Sequence, residues 1–352
     1  MKDLSSVKIY SPGCQAVDWG FDYHQLVDLE TALAQPTSIA AVPVFCDKPQ
    51  EFSYLPQYQG LDLSRFDLVL FTDIQFRSQA ELETWISTTG ARQWLLSVAG
   101  LHDSETLSTT TIYRPTWMFT FLQWNPPRDS FPTHRPYLFD CLCGTRREQR
   151  DFAMLSLIKS GLIDRGIVTY RDIFPGHEFQ QTPVALQKMF DPITVPWPYV
   201  SANLQPEWEV RPHLDNSISS DVPWQIYDRT WFTMLMETIG DGEIFLAAEK
   251  IGKCLQARRL FVHFGRAGWL KQLQALGFET FDSVIDESYD QIPNKYQRWQ
   301  AAFQQVQSLC AQDLTSVLQK IRPVLDHNHD RLYQYRDEIK QHMQCLISAY
   351  LK

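Results

Sequence analysis

Over the first 124 positions apolar residues fall in short blocks separated by stretches of helical period. VKIY (7–10), AAVPVF (40–45), DLVLFTD (67–73), QWLLSVA (93–99) and MFTFLQW (118–124) have the length and composition of strands. Between them, LVDLETALAQ (26–35) and SQAELETWIST (78–88) carry apolar residues at helical spacing. Nearly continuous apolar strands alternating with helices predict a parallel sheet with helices on its faces. The stretch NPPRDSFPTHRP (125–136) then holds four prolines in twelve positions. Proline fixes φ and withholds a ladder donor, so this stretch is a boundary loop.

The same architecture restarts beyond it. YLFDCLCG (137–144) reads as a strand, RREQRDFAMLSLIKSG (146–161) as a helix and GIVTY (166–170) as a strand. Residues 175–223 show little periodicity and are read as an irregular surface segment. YDRTWFTMLMETIG (227–240) is read as a helix and EIFLAAEKIGKCLQA (243–257) as a turn running into a helix. LFVHFG (260–265) follows as a strand, and WLKQLQALG (269–277) as a helix stopped by Gly277. From Asn294 the chain reads as helical, with apolar stripes over 296–306, 314–325 and 332–343. His327, His329 and Asp330 fall between the last two stripes. Asn328 and Asp330 suit a cap there, and a turn is preferred to a metal site.

These patterns predict an α/β protein with domains at 1–130 and 131–293, followed by C-terminal helices at 294–352. The length, 352 residues, exceeds what one core usually organises. The longest apolar runs fall far short of the roughly 20 residues that cross a bilayer. The first residues lack the apolar region of a signal peptide, and seven scattered cysteines fit reduced thiols, so a cytoplasmic protein with no membrane span is expected. Cys141 and Cys143 alternate as two same-face residues of a strand, a reading preferred to a metal or redox pair.

Charge narrows the partners. A net charge of −9 argues against a general nucleic-acid coat. Yet from Lys250 to Lys271 there are Lys250, Lys253, Arg258, Arg259, Arg266 and Lys271, and no acid. Such a block is either a solvated helix face or the counter-charge of an anionic ligand. The phosphate-loop, dinucleotide, nucleophile-elbow and zinc-protease patterns are all missing, as is any Asp-x-Asp pair, so no metal and no other cofactor is expected.

The segment 227–290, with METIG, AAEKIGK, LGFETF and DESYD, resembles glycosyltransferase-like proteins found in many tailed-phage genomes. Its Glu-Lys block is similar to the donor-site motif of the α1,3-fucosyltransferase family. The resemblance extends loosely to 135–163 and hardly touches the N-terminal half. It implies the GT-B fold, two Rossmann-like domains facing across a cleft, with a nucleotide sugar on the C-terminal one and the acceptor on the other. On the matching positions it implies Glu249 on the ribose and Lys250 on the diphosphate, with Glu237 at the Glu-Thr of the pattern. Ala248 stands where Thr usually precedes the Glu, and Gly252-Lys253-Cys254 stands where Lys-Pro is usual.

Physical chemistry points the same way. Transfer from a nucleotide sugar leaves a charged diphosphate, which without a metal must be met by Lys, Arg and helix N-termini. Lys250 and Lys253 begin one helix, and Arg146, Arg147 and Arg150 begin another just after a strand, where open α/β sheets bind ligands. A surface Glu249–Lys250 pair beside solvated arginines is the alternative. An acceptor hydroxyl needs a general base, and Asp18, Asp73 and His102 lie near predicted strand ends of the first domain. The function expected is therefore an inverting, metal-independent glycosyltransferase acting in the cytoplasm, the host's if phage-encoded. Its acceptor is a glycan or a hydroxymethylated base in phage DNA. A catalytically silent sugar- or nucleotide-binding interaction module is the alternative.

Overall fold

The computed structural model describes residues 7–11, 25–48, 51–54, 61–73, 79–98, 100–102, 110–113, 118–123, 125–128, 130–171, 181–205 and 221–351. Elements in chain order are β1 (Ile9–Tyr10), β2 (Leu26–Val27), α1 (Leu29–Leu33), β3 (Ile39–Lys48), β4 (Glu51–Tyr54), β5 (Leu68–Asp73), α2 (Gln79–Ile86), β6 (Trp94–Val98), β7 (Gly100–His102) and β8 (Thr111–Tyr113). Then come β9 (Tyr137–Cys143), α3 (Glu148–Lys159), β10 (Ile167–Tyr170), α4 (Val184–Phe190), β11 (Tyr199–Val200), α5 (Trp224–Tyr227), β12 (Thr230–Met236) and β13 (Ile244–Leu246). The last are α6 (Glu249–Gln256), β14 (Leu260–Phe264), α7 (Trp269–Ala275), α8 (Lys295–Cys310), α9 (Leu314–Lys320) and α10 (Arg322–Tyr350). No helix among the described residues is long and apolar enough to cross a membrane.

The chain forms two compact α/β units. One takes in 1–116, 243–246 and 333–352, the other 117–242 and 247–332. The first break thus falls ahead of the proline-rich loop, and the C-terminal helices divide between the units instead of standing apart.

In the first unit β2-β1-β3-β5-β6-β8 form a parallel sheet, with β4 antiparallel on β3. Its strands are apolar on both faces because both are covered. Ile39, Ala41, Leu68, Leu70 and Leu95 pack against Met343 and Ile347 of α10. Ala40, Val42, Val69, Phe71 and Leu96 pack against Leu82 and Ile86 of α2.

In the second unit the order is β11-β10-β9-β12-β14, parallel except for β11. α3 lies against α8, where Phe152 and Trp299 have ring centroids 5.8 Å apart. At the amino-terminal side of β14, buried Arg259 donates to Asp140 Oδ1 at 2.6 Å and to Thr230, Thr233 and the Tyr227 carbonyl. The guanidinium and Oδ1 of the carboxylate thereby pair inside the sheet.

Four local expectations change. Residues 230–236, expected within a helix, are the interior strand β12, paired on both sides by β9 and β14. A strand buried on both faces loses its period of two and cannot be told from a buried helix by pattern. Residues 120–123 form a 3-10 turn and no strand. The stretch 175–223 contains α4 and β11. His327, His329 and Asp330 lie inside α10, not in a turn. There Asn328 accepts from the Glu279 N–H at 2.8 Å and donates to its carbonyl at 2.9 Å, fastening the helix to the chain after α7.

Candidate functional site

The carboxyl ends of β9 and β12 collect most of the residues singled out from the sequence. β9 ends at Cys143, and four residues later α3 begins with Arg147 as an N-cap that makes no side-chain capping bond. α6 begins after Ala248, which has no side chain able to cap. Two helix N-termini therefore carry amide donors without side-chain caps, at the places where anions bind.

Lys250, in the first turn of α6, donates to Glu249 Oε1 at 3.0 Å and to the Thr238 hydroxyl at 3.1 Å. Thr238 lies just beyond β12, and its backbone N–H donates to Glu237 Oε2 at 3.2 Å. The Glu237 carbonyl accepts from Gln149 of α3 at 2.7 Å. Gly240 fits this arrangement because an added Cβ would fall 2.5 Å from the Gln149 side chain.

Electrostatics divides the two acids. Burial lifts the Glu249 carboxyl, but Lys250 and Lys253 outweigh that and hold it below its ordinary value. Burial drives the Glu237 carboxyl up to about 7 against the pull of Lys250, and neighbouring Glu249 adds to the rise. Glu237 is 1% exposed and its Oε1 has no partner. Lys253, one turn along α6, is 6% exposed, and burial lowers its ammonium to about 8 despite Glu249.

The arginines of α3 divide differently from the sequence expectation. Arg146 donates from Nε at 3.2 Å and Nη2 at 3.1 Å to buried Asp151, and from Nη2 to Thr182 at 2.6 Å. Asp151 also accepts from the Tyr170 hydroxyl, so Arg146 neutralises a carboxylate of the core. Arg150, 3% exposed, donates from Nη1 to the Thr145 carbonyl and hydroxyl, both at 2.7 Å, while its Nε has no partner. Arg147 also keeps an unpartnered buried Nε, and burial lowers its guanidinium.

The structure thus brings Glu237, Glu249, Lys250 and Lys253 together, with Arg150 acting electrostatically on Glu237. It turns Arg146 to another task. Asp18 lies outside the described residues. Asp73 closes β5 and His102 closes β7, both in the other unit, and their side chains lie outside the described set.

Thr238, Gln149 and Arg298 escaped the sequence reading. Arg298 of α8 donates to the Gly265, Ile292 and Pro293 carbonyls and to Asp241 Oδ1 at 2.8 Å, binding the loops after β12 and β14 to the start of α8. The DESYD motif turns out to be architectural. Asp286 caps the 3-10 turn 287–291, Glu287 accepts from the Phe281 N–H, Tyr289 from the His263 N–H, and Asp290 caps α7 at Leu270. Their spacing gave a signal, since acids just before helical stretches read as caps.

No protein-family model matches the chain, and no curated protein matches it. Among solved structures it is similar to that of T4 phage BGT in complex with UDP and Mn2+, at 10% identity and TM-score 0.41, over 91% of this chain and 85% of that one.

Proposed function

We propose that the chain is a GT-B glycosyltransferase that holds a nucleotide-sugar donor at the carboxyl ends of β9 and β12. The observation that carries this reading is the Glu237–Thr238–Lys250–Glu249 cluster beside the α3 and α6 N-termini. A cation fixed next to amide donors without side-chain caps is what a diphosphate needs. The resemblance of the Glu-Lys block to the fucosyltransferase donor motif gives Glu249 the ribose and Lys250 the phosphates. Both oxygens of Glu249 and three protons of Lys250 give each side chain bonding capacity beyond their mutual contact.

In the reaction the bond between the sugar anomeric carbon and the diphosphate oxygen breaks as the acceptor hydroxyl attacks with inversion. The acceptor proton passes to a base of the first unit, Asp18, Asp73 or His102, and Lys250 with the helix N-termini meets the charge left on the diphosphate. This mechanism asks nothing of a metal. The acceptor is a glycan or a hydroxymethylated base in DNA, and the compartment is the cytoplasm.

Thermal-shift titration against UDP-, GDP-, CMP- and dTDP-sugars tests the donor site. One of them stabilises the protein, and Lys250→Ala removes that shift. Absence of any shift, or an undiminished one in Lys250→Ala, refutes the donor site. A bound donor that is neither hydrolysed nor transferred to glycan or hydroxymethylated DNA leaves a silent binding module instead.

A further inference from the structure

Glu237 is an unusual neighbour for a cation-centred anion site. A carboxyl 1% exposed with one oxygen unpartnered is costly to ionise, and nothing in the fold of β12 requires an acid at its end. Among the described residues, α6 presents Lys250 and Glu249, with Lys253 one turn further on, and α3 presents Arg150, which has its own unpartnered Nε. The Thr238 N–H supplies the carboxyl's one hydrogen bond, to Oε2. The flanking strands β9 and β14 carry Cys143 and His263. Burial keeps His263 neutral. The Cys143 thiol is lifted by burial but brought below its ordinary value by the Cys141 thiol, Arg150 and Lys250.

Lys250 therefore acts on two carboxylates, Glu249 in direct contact and Glu237 by its charge alone, with Thr238 holding both through separate groups, its hydroxyl on Lys250 and its N–H on Glu237. When both are ionised, Lys250 carries one positive charge against two negative ones. When Glu237 holds a proton, one of those negative charges is gone, and an incoming anion is repelled less. We infer that Glu237 is the positioning residue of the Lys250 centre, and that an anion is bound there together with a proton taken up from solvent by Glu237.

The inference rests on Lys250 as the anion-binding residue of the proposed donor site. The sign follows from electrostatics: an anion placed beside Glu237 disfavours its ionised form. The ordinary range of the free carboxyl, raised to about 7, puts the effect at accessible pH. Proton uptake on binding then means that affinity falls as pH rises.

Calorimetry with UDP-glucose and with sodium sulfate, neither of which titrates between pH 6.5 and 8.5, reads this directly. In two buffers of different ionisation heat, the wild-type protein takes up a net proton at pH 7.5. Its dissociation constants rise from pH 6.5 to 8.5 by roughly fivefold or more, up to the limit of about 25-fold that one linked proton on a group titrating at about 7 sets. Glu237→Gln keeps the shape of the protonated carboxyl, takes up fewer protons on binding than the wild type, and shows a flatter pH dependence, the remainder being that of Lys253. Zero proton uptake by the wild type overturns the inference even if the variant does not fold, and so does an unchanged pH dependence in Glu237→Gln. UDP-glucose binding without proton uptake leaves the donor site standing and removes this role. Proton-linked sulfate binding without UDP-glucose binding does the reverse, and failure of both anions to bind at pH 6.5 removes both.

Discussion

The Thr238 hydroxyl accepts a hydrogen bond from Lys250 Nζ at 3.1 Å, joining the end of β12 to the first turn of α6. This bond, and not the neighbouring contact with Glu249, fixes the ammonium relative to the sheet. Thr238→Val keeps the shape and removes the acceptor. A hydrogen bond to a charged group contributes about 1.5–3 kcal/mol when formed within the protein, less where water can replace it. Lys250 is part-exposed, so nucleotide-sugar affinity is expected to fall about threefold to tenfold while urea stability changes by less than about 1 kcal/mol. Equal losses in both measurements would give Thr238 a purely structural part.

Lys253 makes the second prediction, through pH. Burial lowers its ammonium to about 8, below the ordinary 10.5 of the unfolded chain. The unfolded state then holds more protons between these values, so stability rises as pH climbs from 8 toward 10.5 and carries the full penalty below 8. Lys253→Met removes the penalty. The variant is expected to be more stable than the wild type at pH 7, by up to about 3 kcal/mol, with the advantage shrinking by pH 9.5. Chemical denaturation at the two pH values checks it; a gain that is the same at both would tie the effect to packing.

Much of this site was legible as position along the chain and little of it as environment. Lys250 was found because it opens a helix within a basic block, and α6 begins next to it at Glu249. Glu237 was found only by the Glu-Thr pattern, on a segment read as helix. Its burial follows from β12 being an interior strand, which the run TWFTMLM conceals by being largely apolar on both faces. The three arginines at 146–150 looked alike in sequence. What separates them is the buried Asp151, whose claim on Arg146 depends on how α3 seats against β10 and Tyr170. Strands β5, β6, β9, β10 and β14 were legible because each is a short apolar block with turn or helix signals at its ends.

Gly252 gives the third prediction. A Cβ there would stand 1.7 Å from the Met118 carbonyl oxygen and 2.7 Å from the Phe121 ring. α6 lies so close to the 118–123 segment that only glycine fits, which outweighs the lower helix propensity of glycine. Gly252→Ala must displace backbone, and a loss of about 2–3 kcal/mol is expected in urea denaturation. A neutral or stabilising result would mean that the 118–123 segment yields freely.

Arg298 supplies the last prediction. Its guanidinium, 2% exposed, reaches the Gly265 carbonyl at 2.9 Å, Ile292 at 2.7 Å, Pro293 at 2.9 Å and Asp241 at 2.8 Å. These acceptors diverge, and the fork of a guanidinium matches them where a single ammonium cannot. Arg298→Lys keeps the charge but leaves buried carbonyls without donors, a loss of about 2–4 kcal/mol. Asp241 follows Gly240, whose close fit on Gln149 holds the chain just after Glu237. The same variant should therefore weaken nucleotide-sugar binding beyond the Thr238→Val effect, even at temperatures where it is fully folded. Binding that survives intact in a folded Arg298→Lys protein would show that the loop after β12 is held well enough by Gln149 and by the Thr238–Lys250 bond.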